Sequence, residues 1–367
     1  MRYSIEIGKI IEGALKNDSA KVVNYTNQLI EKLKNDGEIN TAEKFSKILT
    51  NKNNINAFVA MEKLNPIPVD SESRSKLVDI YYDELDDVET VLNSTNEKII
   101  NEFIINYKNS SKLIEAGLET NSTILMYGPP GCGKTNCARM IAKKVELPLV
   151  VARLDSLISS YLGTTAKNIR TMFEYIQKNP CVLFLDEFDA IAKARDDNNE
   201  LGELKRVVNS LLQNIDALSD CIVVAATNHE KLLDDAIWRR FNYKMFIDYP
   251  DTYGIVNLIK IFSKNFIQFN QKELEQLAIC FNKKSGSYIK DVLENSFRRC
   301  IVNDDKITIN VIFNQILLND NVELASNKEK VKYFLSKNTD NKYFTYDDIA
   351  NILGITKGYV SILARGE

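Results

Sequence analysis

Between residues 123 and 248, short, mostly apolar runs alternate with longer stretches whose apolar positions recur at helical spacing. The runs are 123 to 127, 148 to 153, 181 to 185, 221 to 226 and 245 to 248. Unbroken hydrophobicity over so few residues, as in Cys181 to Leu185, predicts a strand buried on both faces of a parallel sheet. The alternation predicts an α/β core over residues 91 to 250, with helices on both faces. From Asp251 to about Leu318 the pattern is helical throughout, which predicts a smaller α-helical lid over 251 to 325 packed against the core.

Ahead of the core, residues 3 to 64 are nearly free of turn formers, and Ile7, Ile10, Ile11, Ala14 and Leu15 lie at helical spacing. Residues 1 to 64 therefore read as a helical hairpin or three-helix module, serving packing, oligomerisation or docking. The prolines of Asn65-Pro66-Ile67-Pro68 break helices and favour extended chain, so a linker is expected over 65 to 90. The acidic run Asp83 to Glu89 within it reads as solvated surface.

At the other end, residues 326 to 367 predict a helix-turn-helix-like tail. Ile349, Ala350 and Leu353 mark a first helix, Gly354 the turn, and Val360, Ile362 and Leu363 the inner side of a second helix. Lys357, Tyr359, Ser361 and Arg365 then fall on or near the outer side, where contacts to DNA could form; a protein contact or packing within an assembly is the other reading.

Composition narrows these readings. The formal net charge is −3, so no global basic field draws the chain to nucleic acid or to an anionic membrane, and any DNA contact must be local. No apolar run approaches the roughly 20 residues of a membrane span, and the first residues lack the apolar core of a signal peptide. The expected setting is cytoplasmic, without a membrane partner. The six cysteines show no paired C-x-x-C spacing and His229 is the one histidine, which argues against a zinc site and against histidine catalysis.

The chemistry is carried by two segments. Gly128-Pro129-Pro130-Gly131-Cys132-Gly133-Lys134-Thr135 is a complete Walker A loop, set between an apolar strand and a helix that opens with Asn136. Its glycines let backbone N–H groups wrap phosphates, Lys134 brings a cation to the β- and γ-phosphates, and the Thr135 hydroxyl suits a Mg²⁺ ligand. Leu185-Asp186-Glu187-Phe188-Asp189 is the matching Walker B segment. Asp186 would lie beside the metal, and Glu187 would orient and polarise the attacking water. ATP and Mg²⁺ are the expected cofactors.

With these motifs, further segments make residues 91 to 318 resemble the AAA family of ATPases, in the branch that includes spastin, katanin and the membrane-anchored AAA proteases. Residues 222 to 228 are similar to the sensor 1 strand, a resemblance that implies contact of Asn228 with the γ-phosphate and the lytic water. The segment from Leu233 to Phe241 is similar to the one carrying arginine fingers, which enter a neighbouring subunit's site. Here the arginines Arg239 and Arg240 are adjacent, and either can be the finger. Ser285-Gly286-Ser287-Tyr288 resembles the Ser-Gly-Ala-Asp lid motif near the adenine, which implies nucleotide contacts from Gly286 and Ser287, with Tyr288 in place of the acidic residue.

Tyr161-Leu162-Gly163 is similar to the aromatic-hydrophobic-glycine pore loop of protein-translocating rings. The resemblance implies a homo-hexamer that unfolds, translocates or remodels protein substrates. The chain has no H-E-x-x-H and no G-x-S-x-G, so any proteolysis would come from a separate protease partner. The alternative is an ATP-dependent regulator or loader on DNA, anchored by the tail.

Overall fold

The computed structural model describes residues 3–15, 19–50, 67–70, 74–81, 90–119, 122–154, 162–179, 181–189, 203–218, 221–322, 326–338 and 343–365. Six strands, β1 (Val78–Tyr81), β2 (Thr123–Tyr127), β3 (Leu149–Ala152), β4 (Val182–Leu185), β5 (Ile222–Thr227) and β6 (Tyr243–Phe246), form one sheet in the order β1-β3-β4-β5-β2-β6. Every pairing is parallel except that of β1 with β3.

Strand periodicity splits the sheet's side chains between two cores. Leu125, Val150, Leu183, Leu185, Val223 and Ala225 face one side, where Ile169, Met172, Phe173 and Ile176 of the helix Leu162–Lys178 and Leu211, Leu212 and Ile215 of the helix Glu203–Asp216 cover them. Ile124, Met126, Val182, Phe184, Ile222 and Val224 face the other. There they meet the helices Ser94–Lys108, through Ile100, Phe103 and Ile104, and Lys134–Val145, through Cys137, Ala138, Ile141 and Ala142. With both faces covered, the central strands are apolar except at their ends, where Thr123 opens β2 and Thr227 closes β5, which is why they read as apolar runs.

Within the linker expected over 65 to 90, β1 pairs with β3: Val78↔Ala152 and Ile80↔Val150 put it on the outer edge of that strand. An antiparallel edge strand has one covered face, and Val78 is buried while Asp79 bonds outward to Arg153 (Oδ2 to Nε, 2.7 Å). β6 lies two residues earlier than its apolar run, because Tyr243 pairs with Ile124 and packs edge-on against Phe103, with ring centroids 5.3 Å apart.

At the N-terminal end, helices Ser4–Leu15, Ser19–Asn35 and Ile39–Thr50 make a three-helix unit whose small core includes Leu29, Ile30, Leu33 and Ala42. At the other end, helices Thr252–Ser263, Gln271–Cys280, Gly286–Val302 and Ile309–Asn319 share one hydrophobic core with Asn327–Ser336, Tyr346–Leu353 and Lys357–Arg365. Gly354, at φ 66, ends the helix Tyr346–Leu353 in the left-handed conformation that favours glycine. Val360 and Leu363 are buried, whereas Ile362, expected on the inner side, is 47% exposed. Residues 360 and 363 share a helix face and 362 falls well around from it.

Asp320 ties the C-terminal helices together. It accepts from Lys284 Nζ (2.7 Å) and Tyr288 Oη (2.7 Å) on one oxygen and from Tyr333 Oη (2.8 Å) on the other. Burial pushes the Asp320 carboxyl up, but the hydrogen bonds from Lys284, Tyr288 and Tyr333 outweigh it and hold the carboxyl below its ordinary value. A carboxyl depressed in the fold stabilises it above its unfolded pKa and loses that contribution as pH falls through the folded one. Asp320→Asn is expected to cost about 1.5–3 kcal/mol at pH 7, the worth of hydrogen bonds to a charged group, and to shrink the loss of stability on acidification. Urea denaturation at pH 7 and at pH 3 measures both, and a variant as stable as the parent at pH 7 would contradict the role given to Asp320.

Candidate functional site

β2, β4 and β5 run parallel, so their C-terminal ends open on one edge of the sheet. The chain leaves β2 at Gly128, with φ 138. A Cβ there would lie 2.2 Å from the Ile247 carbonyl oxygen, so only glycine lets the loop pass beside the chain leaving β6. At Gly131, φ 72, a Cβ would lie 2.0 Å from Ser287 Oγ, and the Ser287 N–H donates to the Gly131 carbonyl at 3.1 Å. Gly131 thereby lets the helix Gly286–Val302, capped by Ser285, close directly on the loop.

The helix Lys134–Val145 starts at Gly133 with no side-chain cap, so its first N–H groups and the positive end of its dipole face the cleft. Lys134 is buried, and its Nζ donates to the carbonyls of Gly128 (2.7 Å) and Pro129 (2.8 Å). Burial holds its ammonium below the ordinary value, while acidic neighbours, Asp186 among them, pull it back up. On the same helix face, burial pushes the Cys137 thiol up to about 12, which leaves it an apolar core group.

From β4, Asp186 accepts from Thr135 Oγ1 at 3.2 Å, bringing the two expected metal ligands together. Its other carboxylate oxygen accepts from the Glu187 N–H at 2.9 Å. Glu187 has φ 50, the left-handed region that costs a non-glycine residue energy. That turn leaves Glu187 exposed on the cleft while Phe188 enters the core, its N–H donating to Ala226 of β5 at 2.8 Å. The Thr227 hydroxyl donates to Asp189 at 3.0 Å, a second tie between the ends of β4 and β5.

These ends line one cleft of about 610 Å³, within the range of small-molecule sites. Cys132, Gly133, Lys134, Thr135, Asn136, Asp186, Glu187 and Asn228 line it, with Pro130, Gly131, Gly286 and Ser287 where loop meets lid. Gly128 and Pro129 lie beneath, as acceptors for Lys134. The sequence reading missed the rest of the lining, where the apolar Val91, Leu92, Ile247, Pro250, Leu258 and Phe262 stand with the polar Thr90, Asn93, Asn96, Asp248, Asp251 and Lys290. The signal was present in the apolar step before Asn93, whose side chain caps the helix Ser94–Lys108.

Among the described residues, two buried side-chain atoms lack a hydrogen-bond partner, Asn228 Oδ1 and Thr90 Oγ1. Both residues line this cleft. A buried polar atom without a partner costs free energy, so each is a place where a ligand or water is favoured.

Arg239 and Arg240 do not line the cleft. The Arg240 carbonyl accepts from Thr123 Oγ1 at 3.0 Å, at the start of β2, whereas the Walker A loop begins after the strand's last residue. The two arginines also differ from one another. Arg240 is held by Asp216 (Nε to Oδ2, 3.0 Å) and by the Ala236 carbonyl (2.7 Å), while Arg239 is exposed with no ion pair among the described residues. Of the expected pore loop, Tyr161 lies outside the described residues, and Leu162 and Gly163 open the helix Leu162–Lys178.

Residues 124–249 match the family model of the ATPase family associated with various cellular activities (AAA). An uncharacterized AAA family ATPase, y4kL, from Sinorhizobium fredii (strain NBRC 101917 / NGR234) is 43% identical over 207 residues, which span 56% of this chain and 62% of that protein. The peroxisomal ATPase PEX6 of Saccharomyces cerevisiae is 34% identical over 202 residues, 51% of this chain and 20% of that one. The chain thus spans less than two thirds of either relative. The crystal structure of the FIGL-1 AAA domain superposes with a TM-score of 0.56 at 19% identity, over 73% of this chain and 92% of that one, a likeness of fold. Together these matches make residues 124–249 similar to the AAA domain, and the structural likeness adds the fold alone.

Because the Ile247 carbonyl is backbone and cannot swing aside, Gly128→Ala is expected to distort the loop. It should cost at least about 2 kcal/mol through strain and clash and weaken ATP binding. Thermal denaturation with and without Mg²⁺·ATP checks this, and a variant with unchanged melting and unchanged ligand stabilisation would contradict the close approach at Gly128.

Proposed function

We propose that the AAA ATPase domain of this chain binds Mg²⁺·ATP in the cleft and hydrolyses it, and that copies assemble into a ring that unfolds, translocates or remodels protein substrates. The observation that carries the first half is the convergence of Lys134, Thr135, Asp186, Glu187 and Asn228 on one cleft that also offers an uncapped helix N-terminus. The residues fit the cofactors. The Thr135 hydroxyl and Asp186 carboxylate are hard oxygen donors suited to Mg²⁺, a metal usually held by one or two protein oxygens beside substrate phosphates. Magnesium, when bound, supplies neutralisation of charge across the phosphate oxygens.

Each side chain then has a task. Lys134 is already folded over the loop, so its ammonium needs little movement to reach the β- and γ-phosphates. Glu187, projected into the cleft by its left-handed backbone, orients the attacking water and takes its proton. Asn228 Oδ1, buried and unpaired, accepts a hydrogen bond from that water. The lid closes through Ser287 on Gly131 and screens the site from solvent.

Neither arginine reaches its own cleft, which supports their use in a neighbouring copy's cleft and hence a ring, of six by the family resemblance. The exposed Arg239 is the better finger, because Arg240 would first have to leave Asp216 and Ala236. Work on protein substrates is supported by the pore-loop resemblance of Tyr161, Leu162 and Gly163. The DNA reading has its support in the exposed Lys357, Tyr359 and Arg365 on the helix Lys357–Arg365. Its charge is thin, since Lys357 Nζ is paired with Asp347 at 2.6 Å, and we place the tail instead as a protein-contact surface.

Glu187→Gln is expected to bind ATP and hydrolyse it at least ~100-fold more slowly, the scale of a lost general base. Near-parental turnover would remove Glu187 from this role. Arg239→Ala should bind ATP normally yet lose turnover, and mixing it with Glu187→Gln should restore part of the activity, while Arg240→Ala should retain more turnover than Arg239→Ala. Steady-state phosphate release across mixing ratios, with mixed assembly confirmed by native mass spectrometry, decides this. Silence at every ratio would count against a finger supplied in trans.

A further inference from the structure

β5 is buried along its whole length, and Thr227, 1% exposed at its end, is the one polar residue in it. Valine would fill that space and suit a strand as well, and a buried hydroxyl costs free energy unless it is hydrogen-bonded. The Thr227 hydroxyl is bonded twice. It donates to Asp189 Oδ1 at 3.0 Å and accepts from the His229 N–H at 3.0 Å. Asp189 is buried and stands just beyond Glu187, and the intervening Phe188 is pinned to β5 through the Ala226 carbonyl. Asn228, between Thr227 and His229, lines the cleft, whereas Thr227 does not.

We propose that Thr227 is a positioning residue for ATP hydrolysis: its hydroxyl clamps the backbone on either side of Asn228 and ties it to the segment bearing Glu187, so that both side chains address one attacking water. The proposal rests on the roles given above to Asn228 and Glu187 and adds the group that sets their spacing. Thr227 is itself held in register by β2, where Tyr127 lies beside it. A side-chain oxygen that accepts from the N–H two residues on closes a short turn and fixes the backbone of the residue between, here Asn228. The bond to Asp189 takes up the hydroxyl proton, which sets the direction of the hydroxyl and leaves a lone pair for His229. Without the hydroxyl, the Asn228 backbone is free to turn, and a misplacement of about 1 Å is enough to cost turnover steeply. ATP binding draws instead on Lys134, Thr135 and the loop, so affinity should hold.

The test is a double-mutant cycle on the full chain. Steady-state phosphate release at saturating Mg²⁺·ATP, and ATP affinity by calorimetry, are measured for the parent, Thr227→Val, Thr227→Ser, Asn228→Ala and the Thr227→Val/Asn228→Ala pair. The expected result is a kcat at least about tenfold lower in Thr227→Val with ATP affinity unchanged within about twofold, and a parental kcat in Thr227→Ser, which keeps the hydroxyl. In the Asn228→Ala background the Thr227→Val change should cost little further, because the side chain it positions is gone. The full loss in that background would overturn the proposal, as would a parental kcat in Thr227→Val, a Thr227→Ser variant as slow as Thr227→Val, or a fall in ATP affinity matching the fall in kcat. If Thr227→Val does not fold, judged by its melting curve, Thr227→Ala, which lacks the hydroxyl and adds no bulk, takes its place in the cycle with the same expectations. Parental turnover by Asn228→Ala is a different result, sinking the role of Asn228 itself and the proposal with it.

Discussion

The parallel register of β4, β5 and β2 is the constraint on which the site depends. Tyr127 lies beside Thr227, and Leu185 beside Ala225, so the residues that follow, Gly128, Asn228 and Asp186, emerge together at one edge. The Phe188 N–H to the Ala226 carbonyl extends the register one step past β4 and fixes where the chain can turn. A slip of one residue would exchange the two faces of a strand and bury the wrong half of its side chains. Both faces are packed, so the slip is forbidden by the core itself. Position in the site is thus specified by hydrophobic packing some distance from it.

The second layer of control is the contact between loop and lid. Ser287 meets Gly131 through its backbone N–H, and the same helix carries Tyr288, which reaches Asp320 and through it Tyr333. Cleft, lid and C-terminal helices are thereby joined by a short series of directional contacts, and the lid and C-terminal helices also share one hydrophobic core. On the opposite side, Thr123 fastens the segment bearing Arg239 and Arg240 to the start of β2. The same rigid sheet that assembles a cleft at one end carries the arginine pair outside it.

Much of this was legible in the sequence. The central strands were readable because a strand covered on both faces is apolar along its interior, and the Walker segments because phosphate and metal chemistry tolerate few substitutes. The edge strand β1 was not, since Asp79 interrupts its apolar residues and two prolines stand upstream. The difference between Arg239 and Arg240 was likewise invisible, because it arises from Asp216, which is distant in sequence. Ile362 shows the limit of pattern reading at a helix surface, where an apolar residue one position from the buried face remains exposed.

The proposal with most at stake is that one chain holds a complete nucleotide cleft but an incomplete catalyst, with Arg239 or Arg240, which lie outside that cleft, serving a neighbouring copy. Its most direct test is ATP turnover per chain as a function of protein concentration, with oligomeric state followed by mass photometry and ATP binding measured at the same concentrations. The account predicts that binding persists in the dispersed chain while turnover per chain rises steeply as copies assemble. Full turnover per chain by the dispersed monomer would contradict it.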